Sequence, residues 1–373
     1  MRPFILPLVL CTALAICLQT VAAAARKGMP HSIFTMIHFE AGGDAGFPLF
    51  QNIVKAELKK DSSAINNRDL VYQQALWPTA VKLVKSADRY DFKLTLALNP
   101  QWAKYILQDM KRVKTVGLWL ENGHEIAFHH HGVNHIDWNG YSNRLGRNST
   151  IGGGEYHRYR NKLNNGDYLG TVDEGFQWVK TLVALAGSSQ KVISGCITDT
   201  RIDLPDEVTI LTEGGKRLEK DLISPPLAQH VGNRSGRSKK ITWMRHAFLG
   251  AHYDAMSTST ASYSKQSINK KVKKELKRIT ARYPQAGEQD VVGVVFHVFD
   301  YYYSPTYYDQ WFTFVHEKKK KIKTIQSVVN SYSGRHRIEQ KMHPGAYMSN
   351  DQDRKKSLFD MDQRRKNVIK NRQ

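Results

Sequence analysis

The chain has 373 residues, a formal net charge of +21, and a composition that is 41% hydrophobic and 10% aromatic. That apolar fraction excludes a disordered polymer and is enough for one large core. The charge points to an anionic partner. For an exported chain an acidic polysaccharide or cell-envelope glycan is the simplest one, and with no zinc-finger, helix-turn-helix or aromatic-basic RNA pattern, nucleic acid is not expected.

Residues 1–25 read as an export signal. Arg2 supplies the positive start, Phe4 to Val21 the apolar stretch, and Ala22 to Ala25 the small residues of a cleavage point. No later segment is long and apolar enough to span a bilayer, so the expected location is secreted or periplasmic, with no integral membrane segment after cleavage. Cys11 and Cys17 lie in this leader, leaving Cys196 alone in the mature chain. An internal disulfide is therefore impossible, and Cys196, inside the apolar run VISGCI, reads as structural. Asn148-Ser149-Thr150 and Asn233-Arg234-Ser235 match the glycosylation acceptor pattern, which matters only in a eukaryotic source.

Ser32 to Phe39 is a strand candidate that ends in a loop, Glu40-Ala41-Gly42-Gly43-Asp44. Leu49 to Lys60 and Val71 to Ala87 carry helical periodicity. Asp91 to Leu98 alternates as a strand, Asn99-Pro100 stops it, and Gln101 to Val113 returns to helix. A helix end at Val116 to Leu120 gives way to the Asn122-Gly123 turn, and His124 to Phe128 reads as a short strand. Asn139 to Gly170 reads as a long loop, a type of segment more often functional than idle. Further helices are expected over Gly175–Ala186, Gln266–Ala281, Asp309–Lys320 and Ile325–Ser331. Strands are expected over Val192–Ile197, Val208–Leu211, Ile241–His246 and Ile322–Thr324, with Gly214 to Lys240 mainly loop around Pro225-Pro226. Asp290 to Phe299 is a nearly continuous β-branched run, as in a strand covered on both faces. From residue 334 to 373 the chain turns basic and weakly apolar, and reads as a tail outside a single catalytic-type domain of residues 26–333.

The stretch richest in chemistry follows the His124 strand. His129, His130, His131 and His135 fall within seven residues. Neutral imidazole is a common metal ligand, and the spacing of His131 and His135 places both on one side of a helical turn. His129 is a further candidate ligand. Two other strand ends carry ionisable groups: His38 and Glu40 with Asp44 just beyond, and His297 with Asp300. Carboxylates, a histidine pair and a separate histidine suit metal-assisted hydrolysis, in which a carboxylate near the ion takes the proton of water and a histidine on the opposite wall protonates the leaving group. Trp138, Tyr141 and Tyr301 are candidates for stacking on sugar rings. Strands and helices alternate, and these groups sit at the C-terminal ends of strands, as in a (β/α) barrel.

Here the residues resemble a known family. Gly123-His124-Glu125-Ile126 with its clustered histidines looks like the second motif of the NodB-like polysaccharide deacetylases. The strand VVGVVFHVF with His297 resembles their last motif, and DQWFTFVHEKKKKIKTIQSVV resembles the end of such domains. The resemblance implies a distorted (β/α)7 barrel. It also implies removal of N- or O-acetyl groups from a glycan, using a divalent metal, zinc in the first instance, with cobalt or iron as alternatives. The resemblance implies Glu40 as base and His297 as acid, with Asp44 as a further ligand, because Ala41 stands where that family carries a second aspartate. A catalytically inactive barrel that binds anionic glycan is the competing reading, and a glycoside hydrolase pairing Glu40 with Asp137 or Asp300 is a third.

Overall fold

A computed structural model describes residues 32–40, 56, 68–132, 139–143, 168–197, 203–214, 223–224, 226–232, 238–250, 265–287 and 290–333. Ten strands are described: β1 (Ser32–Phe39), β2 (Thr95–Leu98), β3 (Glu125–His130), β4 (Ser194–Ile197), β5 (Ile210–Gly214), β6 (Ile223–Ser224), β7 (Leu227–Gly232), β8 (Ser238–Phe248), β9 (Val291–His297) and β10 (Ile322–Lys323). Seven of them pair in parallel as β1-β2-β3-β4-β5-β8-β9, and β9 pairs back onto β1 from Ser32↔Val291 to His38↔His297. The sheet is therefore a closed seven-stranded barrel with no free edge among these strands. The remaining three strands attach outside the ring. β7 and β6 run antiparallel to β8 and β9, and β10 runs parallel to β1.

Helices cover the ring. They are α1 (Arg68–Asp88), α2 (Pro100–Leu107), α3 (Met110–Glu121), α4 (Val172–Leu185), α5 (Lys265–Arg282), α6 (Val298–Tyr303), α7 (Pro305–Glu317) and α8 (Ile325–Ser333). The helical stretch expected from Gln101 to Val113 is two helices, because Asp109 stops one and caps the next by accepting from Lys111 N at 2.8 Å. Asn99 caps α2 in the same way, with Pro100 in its first turn. Gly123, at φ +87°, makes the turn from α3 into β3.

Side chains alternate across each strand, and the two faces separate two apolar clusters. Phe34, Met36, Ala97, Ala127, Ile210, Met244, Val291 and Val295 fill the lumen, and Ile325, Val328 and Val329 of α8 plug its floor. Ile33, Ile37, Phe39, Ile126, Phe128 and Phe296 face the helix layer. Each such large side chain, once buried, contributes about 1.5–3 kcal/mol. Gly293 has its place in this lumen because a Cβ there would collide with the Phe34 ring and the Arg245 carbonyl.

Two expectations need correction. The segment expected as loop from Gly214 to Lys240 contains β6, β7 and the start of β8, with β7 laddered on β8 from Leu227↔Trp243 to Gly232↔Ser238. Pro226 immediately precedes β7, and an outlying strand tolerates proline at its start. Tyr301, expected as a ring for stacking on sugars, lies buried in helix α6, which begins immediately after β9. The candidate helix at 49–60, the export signal and the basic tail lie outside the described residues, apart from residue 56. No described helix is long and apolar enough to cross a membrane.

Candidate active site at the barrel mouth

Strand alternation assembles the site. On β1 the lumen positions continue from Phe34 and Met36 to His38 and then Glu40. On β3 they run through Ala127 to His129, with His131 just past the strand end, and on β9 through Val295 to His297. All of these are at the C-terminal ends of parallel strands, the position where barrels of this type place their chemistry.

Glu40 is the centre. Its Oε1 lies 2.9 Å from His297 Nε2 and 3.1 Å from His129 Nε2, while Oε2 lies 3.9 Å from His131 Nδ1. His38 stacks on His129 with ring centroids 4.1 Å apart, and His246 of β8 meets His38 edge-on at 6.4 Å. The backbone of Glu40 is held as well: the Trp102 indole N–H donates to its carbonyl at 2.5 Å.

The electrostatics follow from this crowding. Burial alone would raise the Glu40 carboxyl. The charges of His129 and His131, with hydrogen bonds from His129 and His297, overcome burial and hold it well below the usual carboxylate range. His297 is opposed by burial too, yet hydrogen bonds to Asp300 and Glu40 push it up to about 9. Burial pushes His246 down to about 3, and His38 well below the ordinary imidazole value, with neighbouring imidazoles adding to the effect. At neutral pH the mouth thus holds an ionised Glu40, a cationic His297 and two neutral imidazoles.

Asp300 sits in the first turn of α6. Its Oδ2 accepts from His297 N at 3.0 Å and pairs with His297 Nδ1 at 2.8 Å. One carboxylate oxygen therefore both caps the helix and fixes the imidazole, leaving Nε2 facing Glu40. His130 points the other way from its neighbours: its Nε2 lies 3.2 Å from Asp203, which also accepts from Asn143 N at 2.7 Å. His130 anchors the 139–143 segment to β3.

The expected site residues divide accordingly. Glu40, His129, His131 and His297 come together, whereas Asp44, His135 and Trp138 lie outside the described residues. Tyr141 and Tyr301 are each 1% exposed, and the Tyr301 hydroxyl donates to Asp309 at 3.1 Å, so neither presents a ring face to a sugar. Asp300 shares His297 with Glu40 rather than facing Glu40 across a cleft, which argues against that carboxylate pair for glycoside hydrolysis. Asp137 lies outside the described residues. His38, His246 and Cys196 are the lumen residues that spacing by helical turn overlooks. The signal for them was period two: His38 with Glu40, His129 with His131, and the lumen parity of β4 and β8.

Three donor sets lie within 4.8 Å of one another: Glu40 with His129 and His131, His38 with Glu40 and His297, and His38 with His129 and Cys196. The first offers one carboxylate and two imidazoles, the donor chemistry that suits a catalytic divalent ion with positions left open.

No family model matches the sequence, and a search of curated proteins finds no match. Solved structures similar in fold include a protein described as a polysaccharide deacetylase from Mycobacterium smegmatis, 11% identical, with a TM-score of 0.47 over 84% of this chain and 95% of that one. Another, described as a polysaccharide deacetylase from Pseudomonas aeruginosa PAO1, is 10% identical, with a TM-score of 0.47 over 84% of this chain and 96% of that one. PuuE allantoinase is 11% identical, with a TM-score of 0.43 over 83% of this chain and 94% of that one.

Proposed function

We propose that this chain is an exported, metal-dependent hydrolase that removes N- or O-acetyl groups from a polysaccharide or cell-envelope glycan. The observation that carries the reading is the convergence of Glu40, His129, His131 and His297 around one carboxylate at the barrel mouth. The motif resemblance of the His124 and His297 strands supplies the substrate class.

His129 and His131 are the imidazoles that would hold the ion, with Asp44 the candidate carboxylate that leaves Glu40 free as base, and His135 a further candidate ligand. A bound divalent ion supplies Lewis acidity to the acyl carbonyl and a lower pKa to attacking water. Glu40, held ionised, accepts the proton of that water. His297, cationic at neutral pH, donates the proton from Nε2 to the departing amine or alkoxide as the C–N or C–O bond breaks. Asp300 is a positioning residue that keeps the Nδ1 side of His297 occupied. The 2.9 Å contact between Glu40 and His297 returns the proton and resets both groups. Acetate and a free amino or hydroxyl group are the products.

The test is acetate release from acetylated oligosaccharides by the purified full chain, before and after chelation. We expect activity that chelator removes and zinc restores, and His131→Ala protein that needs more zinc for half-maximal rate. Acetate release unaffected by chelation would exclude the metal. No acetate release with zinc bound would favour the competing reading, a non-catalytic barrel that binds anionic glycan. That reading draws on the net charge of +21 and on the cationic outer face of α5, where Lys270, Lys273, Lys274 and Lys277 are exposed.

A further inference from the structure

Cys196 is on β4, in register with His129 on β3, and shares its lumen parity. It is half-buried and in no disulfide. Its sulfur, one nitrogen of His38 and one nitrogen of His129 lie within 4.8 Å of one another. Both imidazoles are buried, and each has one nitrogen, His38 Nε2 and His129 Nδ1, with no hydrogen-bond partner among the described residues. A buried imidazole nitrogen without a partner is costly unless something fills that side. A water, an ion or a substrate atom would do so. Two stacked imidazoles beside a thiol supply a donor set that fits an ion, since one donor atom of each lies within 4.8 Å of the others.

We propose that His38, His129 and Cys196 form a second, thiolate-bearing metal site at the barrel mouth, suited to a borderline or soft ion such as zinc or copper(I). The donor type separates it from the Glu40 set: thiolate and imidazole select softer ions, while a carboxylate-bearing set accepts harder ones. On binding, the Cys196 S–H bond breaks, a metal–sulfur bond forms and the proton leaves to solvent. His129 belongs to both sets, and a neutral imidazole has a single lone-pair nitrogen. The two sets therefore compete for it, and an ion on the thiolate side withdraws a ligand from the Glu40 side. Metal identity thereby controls whether the Glu40 set is complete.

Two measurements on the full chain test this without any assay of acetate release. In a cobalt(II) titration followed by near-ultraviolet absorption, wild-type protein is expected to show a thiolate-to-cobalt charge-transfer band. In Cys196→Ser protein the band disappears and cobalt affinity falls by roughly tenfold or more. Absence of the band from wild type, or an equal band and affinity in both proteins, overturns the site. The second needs no variant. Iodoacetamide alkylation of Cys196, mapped by peptide mass spectrometry, is expected to slow by roughly tenfold or more on adding zinc, since a metal-bound thiolate is a poor nucleophile for solvent reagents. An unchanged rate overturns the site. Failure of either result leaves the Glu40 hydrolase reading standing, and loss of acetate release leaves this site standing.

Discussion

Among the described residues two glutamates are buried, one at each end of the barrel, and both are 3% exposed. Glu40 at the mouth is surrounded by imidazoles and is held well below the usual carboxylate range. Glu125 at the floor meets neutral donors among the described residues: Thr95 Oγ1 at 3.2 Å, the Ser194 hydroxyl, Gln326 N at 3.0 Å from the first turn of α8, and the Thr324 hydroxyl. Burial raises its pKa against these hydrogen bonds. The same side chain is thus a charged reagent where cations can gather and a helix anchor where they cannot. Burial of an acid does not mark a site; the sign of the shift, and the groups that cause it, do.

The substitution that separates the two ends most sharply is glutamate to glutamine. Glu40→Gln should lower acetate release by about 10²–10⁴-fold, the range for losing a general base, with the fold retained by circular dichroism. Glu125→Gln should leave turnover within about twofold, since a neutral amide still fills the floor and carries no charge to desolvate. Equal losses would mean that the ends are not functionally distinct. Next in size is Glu125→Ala, which strands Gln326 N, Thr95 and Ser194 in the interior. It should cost about 3 kcal/mol of stability, measured by denaturant unfolding, with activity retained below the melting range.

A pH series should show a smaller effect. In chelator-treated protein the folded pKa of His297, about 9, lies above its ordinary 6.5. Its contribution is therefore full below pH 6.5 and lost as pH rises through 9. Melting temperature should fall across that window in wild type, and His297→Gln should flatten the fall. The smallest effect belongs to Tyr301→Phe. It removes one hydrogen bond to Asp309 and should cost about 1 kcal/mol while leaving the apparent KM for acetylated oligosaccharide unchanged. A raised KM would return Tyr301 to the sugar-binding surface.

Much of the barrel was legible because its strands are short apolar runs between amphipathic helices, and the run VVGVVFHVF could only be covered on both faces. Strand β7 and the start of β8 were not, because the sequence from Gly214 to Lys240 is polar and interrupted by Pro225-Pro226, and β7 is held by laddering on β8, a barrel strand. At the site, Glu40, His129 and His297 were found from their positions at strand ends. His135 lies outside the described residues, while strand alternation puts His129 and His131 together and turns His130 outward to Asp203. Cys196 read as structural because sequence offered it no nearby histidine, and its neighbours on β1 and β3 are adjacent only once the strands align. Tyr301 looked available because a run of three tyrosines resembles an exposed loop, whereas Asp300 starts a helix that takes the ring inside.

The register of β1 against β9 aligns His38 with His297. These residues come from near the two ends of the described chain, so neither can find the other until nearly all the intervening strands are in order. Long-range closure of this kind is slow to form. A molecule in which β1 and β9 have not yet paired lacks the contact between Glu40 and His297, so the proposed chemistry requires that closure.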